Sequence, residues 1–416
     1  MNQKISSPGM SSAIRDEKNK SVLIITERFY PEEFGINDLA QAWQAKGYEV
    51  AVLTQTPSYP FDKVYEGYKN KLFQTEKWQG IKVYRALSLM GYKKGVFLKV
   101  LNYLCFAFFA SLVSLFIGRK YEKVFVYHIG PLTQAIPAVL IKKLFGSKFY
   151  VWTLDIWPDS VYAYGFKKRV ISGKLLDLFV TTVYRNCETV FVSCRGFKQK
   201  IEKYVPDARI SFSPQWAPDD LNFEGVEPHE LLNGDFNFTF AGNIGTVQNL
   251  ENVIRGFSLL PKSNDQINLN IIGDGSNLEA LKNIAKQENI ANVYFWGRRP
   301  LKEMPKWFEG SDVLIISLID EPIFSLTVPA KFQAYLASGK PIYCVMNGEV
   351  ADLTINNKIG FVSHPNNIDD IKAGFEKFLT APKHELQAFG SNMKSLLSNE
   401  YDRDKIIEQM AEEIFR

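Results

Sequence analysis

Cysteine is scarce: four in 416 residues, at 105, 187, 194 and 344. None forms a C-x-x-C pair and no histidine lies at metal-ligand spacing from them. This argues against a disulfide framework or a zinc site and fits a reducing cytosol. One-sided charge is missing too. Lys and Arg total 49 against 45 Asp and Glu, a net +4, too small a bias for a nucleic-acid-binding face. Residues 1–20 lack an apolar run and carry Arg15, Asp16, Glu17, Lys18 and Lys20, so they read as a flexible tail, not a secretory signal. No compositional skew marks the rest: 46% hydrophobic and 23% charged exclude disordered, collagenous and simple coiled-coil chains.

What is present is an alternation of strands and helices. Ser21–Thr26 is a continuous apolar run, the mark of a strand buried on both faces. Ile36–Lys46 has helical spacing and ends at Gly47. Strands at Glu49–Thr54, Lys123–Tyr127, Phe149–Thr153 and Thr189–Ser193 alternate with helices at Leu132–Phe145 and Ser172–Arg185, the pattern of a doubly wound parallel sheet. A proline-bearing stretch with Pro214, Pro218 and Pro228 separates a second series. Its strands are Phe236–Phe240, Ile267–Ile272, Val293–Trp296, Val313–Ser317 and Pro341–Val345. Its helices are Leu250–Leu260, Leu278–Gln287 and Ala330–Ser338. The resulting division is a tail over 1–20, a first domain over 21–213, a second over 214–395 and a closing helical segment over 396–416.

Val100–Gly118 breaks the alternation, with 19 residues and no charge between flanking lysines and arginine. At about 1.5 Å per residue it matches a bilayer core in length. A spanning helix would divide a parallel sheet across a membrane, so two readings remain: a buried core helix, or a helix dipping into one membrane face.

Open parallel sheets bind ligands beyond the carboxyl ends of their strands. In the first half those positions hold Glu27, Glu32, Glu33, Gly35, His128 and Asp155. In the second they hold Gly242, Asn243 and Gly245, then Gly273, Asp274 and Gly275, then Gly297, Arg298 and Arg299, and finally Asp320 and Glu321. Glycine turns that lead into helices let a backbone approach phosphate. The first strand opens no G-x-G-x-x-G and no acid stands where a dinucleotide ribose needs one, which argues against a nicotinamide dehydrogenase. His128 is either a satisfied core histidine or a functional one, and Asp155 either caps the next helix or acts in a site. Asp402-Arg403-Asp404 spells D-x-D but opens a helix, where acids suit the dipole.

Together the motifs resemble retaining GT-B glycosyltransferases of glycosyltransferase family 4, in particular capsule and O-antigen enzymes of the N-acetyl-fucosaminyl type. The resemblance rests on Phe29-Tyr30-Pro31 with Gly35, His128 with Pro131-Leu132-Thr133, and Asp155-Ile156-Trp157-Pro158. It continues through Ala241-Gly242-Asn243-Ile244-Gly245, Gly273-Asp274-Gly275, Gly297-Arg298, Asp320-Glu321-Pro322, Pro329-Ala330-Lys331 and Tyr335 to Pro341. It implies an α/β chain with two Rossmann-like doubly wound domains facing a cleft and a C-terminal helix crossing back to the first domain. The first domain then holds a lipid-linked saccharide acceptor and the second a UDP-sugar. His128, Asp155 and Glu321 become the catalytic candidates. Donor binding falls to Gly35, Gly242, Asn243, Gly245, Gln248, Gly273, Gly275, Arg298, Asp320, Lys331 and Gln333, and to the backbone near Ser325, Leu326 and Thr327. The chain departs from the family's pattern at two places. Ala334, with Gln333 beside it, stands where a second glutamate is usual, and Asn243 and Gln248 replace the usual Arg and Lys.

The expected activity is therefore transfer of a sugar, an N-acetyl-amino sugar by the resemblance, from UDP to a lipid-linked saccharide in capsule, O-antigen or exopolysaccharide synthesis. The expected place is the cytoplasmic face of the inner membrane. No metal or other cofactor and no nucleic acid enters this expectation. A UDP-sugar 2-epimerase of the same fold and a non-catalytic nucleotide-sugar binder are the rival readings.

Overall fold

The computed structural model describes residues 20–163, 170–218, 221–261 and 266–416; the expected tail, apart from Lys20, lies outside the described residues. The chain forms two compact units. The first takes the described residues up to Ser193, Phe197–Ser213 and Asp404–Arg416; the second takes Cys194–Gly196 and Pro214–Arg403.

In the first unit the strands are β1 (Ser21–Ile25), β2 (Glu49–Gln55), β3 (Phe73–Trp78), β4 (Ile81–Ala86), β5 (Lys123–His128), β6 (Lys148–Thr153), β7 (Thr189–Val192) and β8 (Ile210–Phe212). They form one sheet in the order β3-β4-β2-β1-β5-β6-β7-β8. β1 lies between β2 and β5, parallel to both, and every residue in it is buried. That central position is what its unbroken apolar run requires. Only β3 runs antiparallel, paired with β4. The sequence reading missed this hairpin. Phe73–Trp78 is an edge strand of alternating exposed and half-buried residues with two charges, so it carries no apolar signal. Its turn, Gln79-Gly80, has φ of 48° and 87°, the paired positive angles of a tight hairpin.

The apolar segment is a helix, Val96–Ile117. Asn102, Phe106, Ala107, Ala110, Val113, Ser114 and Ile117 are buried on one side, next to the helix Ile136–Phe145 and strands β2 and β4. Phe97, Leu101, Leu104, Phe108, Leu112, Leu115 and Phe116 are exposed on the other. The two sequence readings were alternatives, and the helix has both a core face and an unpartnered apolar face.

The second unit holds β9 (Phe236–Ala241), β10 (Ile267–Ile272), β11 (Val293–Gly297), β12 (Val313–Ser317), β13 (Ile342–Val345) and β14 (Gly360–Val362). Their order is β11-β10-β9-β12-β13-β14, with all pairs parallel. One core of Phe238, Phe240, Val253, Ile254, Leu269, Ile271, Phe375 and Phe378 binds the sheet to the helices Leu250–Ser258 and Ile368–Thr380.

The closing segment, expected as one piece over 396–416, is divided. The helix Lys383–Glu400 belongs to the second unit, and a separate helix spans Arg403–Phe415. Between them Tyr401 is buried, edge-on to Phe332 at 5.8 Å. The last helix buries Ile406, Ile407, Met410, Ala411 and Ile414 in the first unit. Phe415 stacks on Tyr48 at 3.7 Å and meets Trp43 edge-on at 5.7 Å, and Glu413 pairs with Arg209 at 2.8 Å.

Candidate functional site

The second unit gathers its candidates at the carboxyl ends of β9, β10 and β12. Gly242, at φ 140°, follows β9, and Gly273, at φ 142°, follows β10. A Cβ on Gly273 would stand 1.8 Å from the Gly242 carbonyl oxygen, so packing between the two turns already demands glycine there. The turns are zipped by backbone bonds. Gly242 N–H donates to the Ile272 carbonyl at 2.9 Å, Ile244 N–H to the Asp274 carbonyl at 2.9 Å, and Gly273 N–H to the Gly297 carbonyl at 2.9 Å. Gln248 closes the first turn: its Oε1 accepts from Gly245 N–H at 2.8 Å and from Asn243 Nδ2 at 3.3 Å.

The amides of Gly242 and Gly245 are engaged within the fold, and so are those of the acidic loop. Ser325 N–H donates to the Glu321 carbonyl at 3.3 Å, Leu326 N–H to Ile323 at 3.2 Å and Thr327 N–H to Phe324 at 3.2 Å. A 3₁₀ turn over Phe324–Leu326 uses these donors for its own short-range bonds. Glycine and loop composition revealed the turns, but not which way their amides face.

The unmet charge in this region is a cation. Lys331 begins the helix Lys331–Ser338, and its Nζ is buried without a hydrogen-bond partner. It lies 3.4 Å from the Phe240 ring centroid, and a Cβ on Gly242 would sit 3.0 Å from it. One turn on, the Tyr335 hydroxyl accepts from Ala241 N–H at 3.0 Å and donates to its carbonyl at 3.3 Å, which fixes the helix start against the end of β9. Burial pushes the Lys331 ammonium well below the usual lysine range. Gln333 is buried with Oε1 unpartnered. Asp320 accepts from Asn347 Nδ2 at 2.8 Å and from Asn366 Nδ2 at 3.5 Å, with His364 Nε2 at 3.8 Å. Glu321 and Arg298 are exposed. Among the described residues, no group of three or more His, Cys, Asp and Glu is placed to hold a metal ion.

The first unit brings together a different set. His128 ends β5, fully buried; its Nε2 lies 2.9 Å from the Gly130 carbonyl. A carbonyl only accepts, so Nε2 carries the hydrogen and Nδ1 a lone pair, which has no partner. Burial lowers the imidazole pKa to about 3, so the ring is neutral. Asp155 follows β6 and accepts from Ile156 N–H at 2.9 Å; burial raises its carboxyl to about 6. Glu27, two residues past β1, is buried; burial, outweighing the nearby Arg28, raises its carboxyl to about 8. Its backbone N–H donates to Gln134 Oε1 at 3.1 Å. Glu32 accepts from the N–H groups of Ser58 and Tyr59, both at 2.7 Å, and from Arg28 at 3.3 Å, so it staples the loop after β2. Gly35 starts the helix Gly35–Ala45, and a Cβ there would make only ordinary contact with the Tyr127 hydroxyl at 3.8 Å. It belongs to the first unit, while the other donor candidates belong to the second. The sequence reading did not single out Gln134; no spacing marks a buried amide on a 3₁₀ turn.

Residues 226–409 match the family of glycosyl transferases group 1. The chain is 26% identical over 282 residues to the probable glycosyltransferase WbjE of Pseudomonas aeruginosa, covering 65% of this chain and 69% of that one. It is 23% identical over 413 residues to the putative colanic acid biosynthesis glycosyl transferase WcaI of Escherichia coli K12, covering 94% and 99%. The structure of Anabaena HepE in complex with UDP-glucose superposes with a TM-score of 0.65 at 13% identity, covering 95% of this chain and 99% of that one. The chain has the GT-B fold, two Rossmann-like α/β units.

Proposed function

We propose that this protein is a glycosyltransferase of cell-envelope polysaccharide synthesis, moving a sugar from UDP to a lipid-linked saccharide with retention at the transferred carbon. By its resemblance the donor is a UDP-N-acetyl-amino sugar. The observation that carries the reading is Lys331. An isolated buried ammonium is held at a penalty of several kcal/mol, and a diphosphate at the Gly242 turn supplies the counter-charge. There the cation stabilises the negative charge that develops as the sugar–phosphate bond breaks. Glu321 lies on the same side of the sheet, after β12, and is assigned the donor hydroxyls, with Gln333 as a neutral helper. The sugar carbon loses its bond to the diphosphate oxygen and gains one to the acceptor oxygen on the same face. The acceptor's proton passes to the departing diphosphate. No metal enters this scheme, because Lys331 supplies the positive charge.

The acceptor falls to the carboxyl end of the first sheet, where His128 and Asp155 stand. Its lipid suits the exposed stripe of Phe97, Leu101, Leu104, Phe108, Leu112, Leu115 and Phe116, flanked by Lys93, Lys94, Arg119 and Lys120. An apolar face bordered by cations settles on an anionic bilayer surface. The deciding experiment is thermal unfolding with UDP. At 100 times its dissociation constant a ligand stabilises by about 2.7 kcal/mol. UDP is expected to do so equally with and without EDTA. Stabilisation that vanishes in EDTA would overturn the metal-free scheme, and release of no UDP from any UDP-sugar supplied with extracted lipid-linked saccharides would overturn the transferase itself.

A further inference from the structure

Among the buried polar atoms of the first unit that lack partners, three belong to residues that strand register and one hydrogen bond place at one level of the sheet. β1 pairs with β5 through Ile25↔Val126, and two residues further on stand Glu27 and His128, the latter paired with Thr153 of β6. Gln134 is tied to this point because its Oε1 accepts the Glu27 N–H at 3.1 Å. The atoms left over are Glu27 Oε1, Gln134 Nε2 and His128 Nδ1. Glu27 is 3% exposed, Gln134 and His128 0%. Buried polar groups are normally satisfied, and unmet ones on adjoining segments, with Thr153 Oγ1 on the strand next to His128 also unmet, mark a place where something else binds.

We propose that Glu27 and Gln134 form a hydrogen-bonding pair that holds a hydroxyl of the saccharide acceptor beside His128. The proposal rests on the transferase reading and adds a specificity-determining residue to it. The chemistry of the three atoms selects the occupant. Gln134 Nε2 only donates and neutral His128 Nδ1 only accepts. Glu27 supplies the third contact as a neutral acid, with an O–H to donate. The charged groups acting on it are Arg28 and Glu32 on its own loop and Lys99 on the helix Val96–Ile117. Arg28 and Lys99 favour the carboxylate and Glu32 opposes it, while burial outweighs all three. An anion would face the Glu27 carboxyl and the His128 lone pair here. A hydroxyl both donates and accepts, and fits the set. The hydroxyl held is one that does not react, since a donor aimed at its oxygen lowers its nucleophilicity. Glu27 therefore sets which acceptor sugar enters and in what orientation.

The test uses the full chain, with turnover read as UDP release from UDP-sugars in the presence of lipid-linked saccharides extracted from membranes. Glu27→Gln, which keeps shape and a donor, is expected to hold kcat/KM for the acceptor within about threefold and to abolish the fall in activity as pH rises through about 8. Glu27→Ala, which leaves Gln134 unmatched, is expected to lower it about ten- to hundredfold with UDP stabilisation unchanged. An infrared difference spectrum, wild type minus Glu27→Gln, reads the proton without ligand or activity, and a protonated-carboxyl band persisting to about pH 8 is expected. If Glu27→Ala does not fold, the wild-type pH profile and Glu27→Gln decide alone. Glu27→Gln as damaging as Glu27→Ala means that a carboxylate is needed and overturns the proposal. An active Glu27→Ala means that water fills the place and overturns it too. A wild type that releases no UDP sinks the transferase reading and this proposal with it, whereas turnover indifferent to Glu27 sinks this proposal alone.

Discussion

The carboxyl ends of the two sheets make different electrostatic arrangements from the same βα architecture. In the second unit a basic group, Lys331, is buried with no hydrogen-bond partner beside a glycine turn, and burial lowers its pKa. In the first, burial favours the uncharged forms of Glu27, Asp155 and His128. On the reading proposed above, a lone buried amine takes its proton beside an anion, and a set of neutral donors and acceptors suits hydroxyls, so that a few side chains on each sheet, not the fold, assign the ligands.

The sharpest way to break the contrast is Lys331→Met. It removes the amine at similar bulk, and UDP stabilisation is expected to disappear while the ligand-free melting temperature holds or rises, because a buried polar group without a hydrogen-bond partner is gone. Retained UDP stabilisation would remove Lys331 from the site. Next in size is Glu321→Ala, expected to lower kcat/KM about ten- to hundredfold, against less than about tenfold for Gln333→Ala, since hydrogen bonds to charged groups are the stronger. Turnover within twofold of wild type after Glu321→Ala would make the acidic loop a solvated turn and nothing more.

The contrast also has a pH signature. Glu27 is raised from 4.5 to about 8, so in the native state it keeps a proton that the unfolded chain has lost. The stability it contributes is present below 4.5 and is lost as pH rises through about 8. Lys331 is lowered, so there the unfolded chain binds more protons and stability rises with pH towards the ordinary lysine range. Hydrogen exchange resolved by unit is expected to show the first unit loosening between pH 6.5 and 8, by up to a few kcal/mol, and the second tightening above that. Parallel behaviour of both units would contradict these protonation states. The smallest effect expected is at the membrane. Phe108→Ser with Phe116→Ser, both on the exposed side, should reduce the fraction retained on anionic vesicles severalfold without changing the melting temperature. Unfolding of the double variant would instead show that these rings pack in the core.

The parts of this arrangement legible in sequence were those written in apolar runs and punctuation. β1 and β12 announced themselves as unbroken apolar segments, Gly242 and Gly273 stood at strand ends, and Lys331 entered only through the family resemblance. The hairpin of β3 and β4 was invisible because an edge strand needs no apolar face. At Gly245 and at Ser325 to Thr327 composition reports that a turn exists, not that its N–H groups are already engaged within the fold. Glu27 was seen only as an acid after a strand. Its backbone is tied to Gln134, 107 positions away, and no local pattern carries that. The helix opening at Asp402 to Asp404 was legible, but the burial of Tyr401 before it was not, since what it packs against, Phe332, is far off in the chain.

The return of the final helix to the first unit sets an order on biosynthesis. The first unit's chain is interrupted at Ser213 and resumes only at Asp404. At the ribosome's pace of about 5–20 residues per second, roughly 10–40 s pass between the two. During that time Trp43 and Tyr48 wait without Phe415, and the strip destined for Ile407 and Met410 stays open. The second unit can therefore be complete before the first, although it is encoded after it. A nascent chain stalled beyond residue 403 should present a folded second unit and an unfinished first one, the reverse of the usual N-to-C succession and an obvious point of engagement for a chaperone.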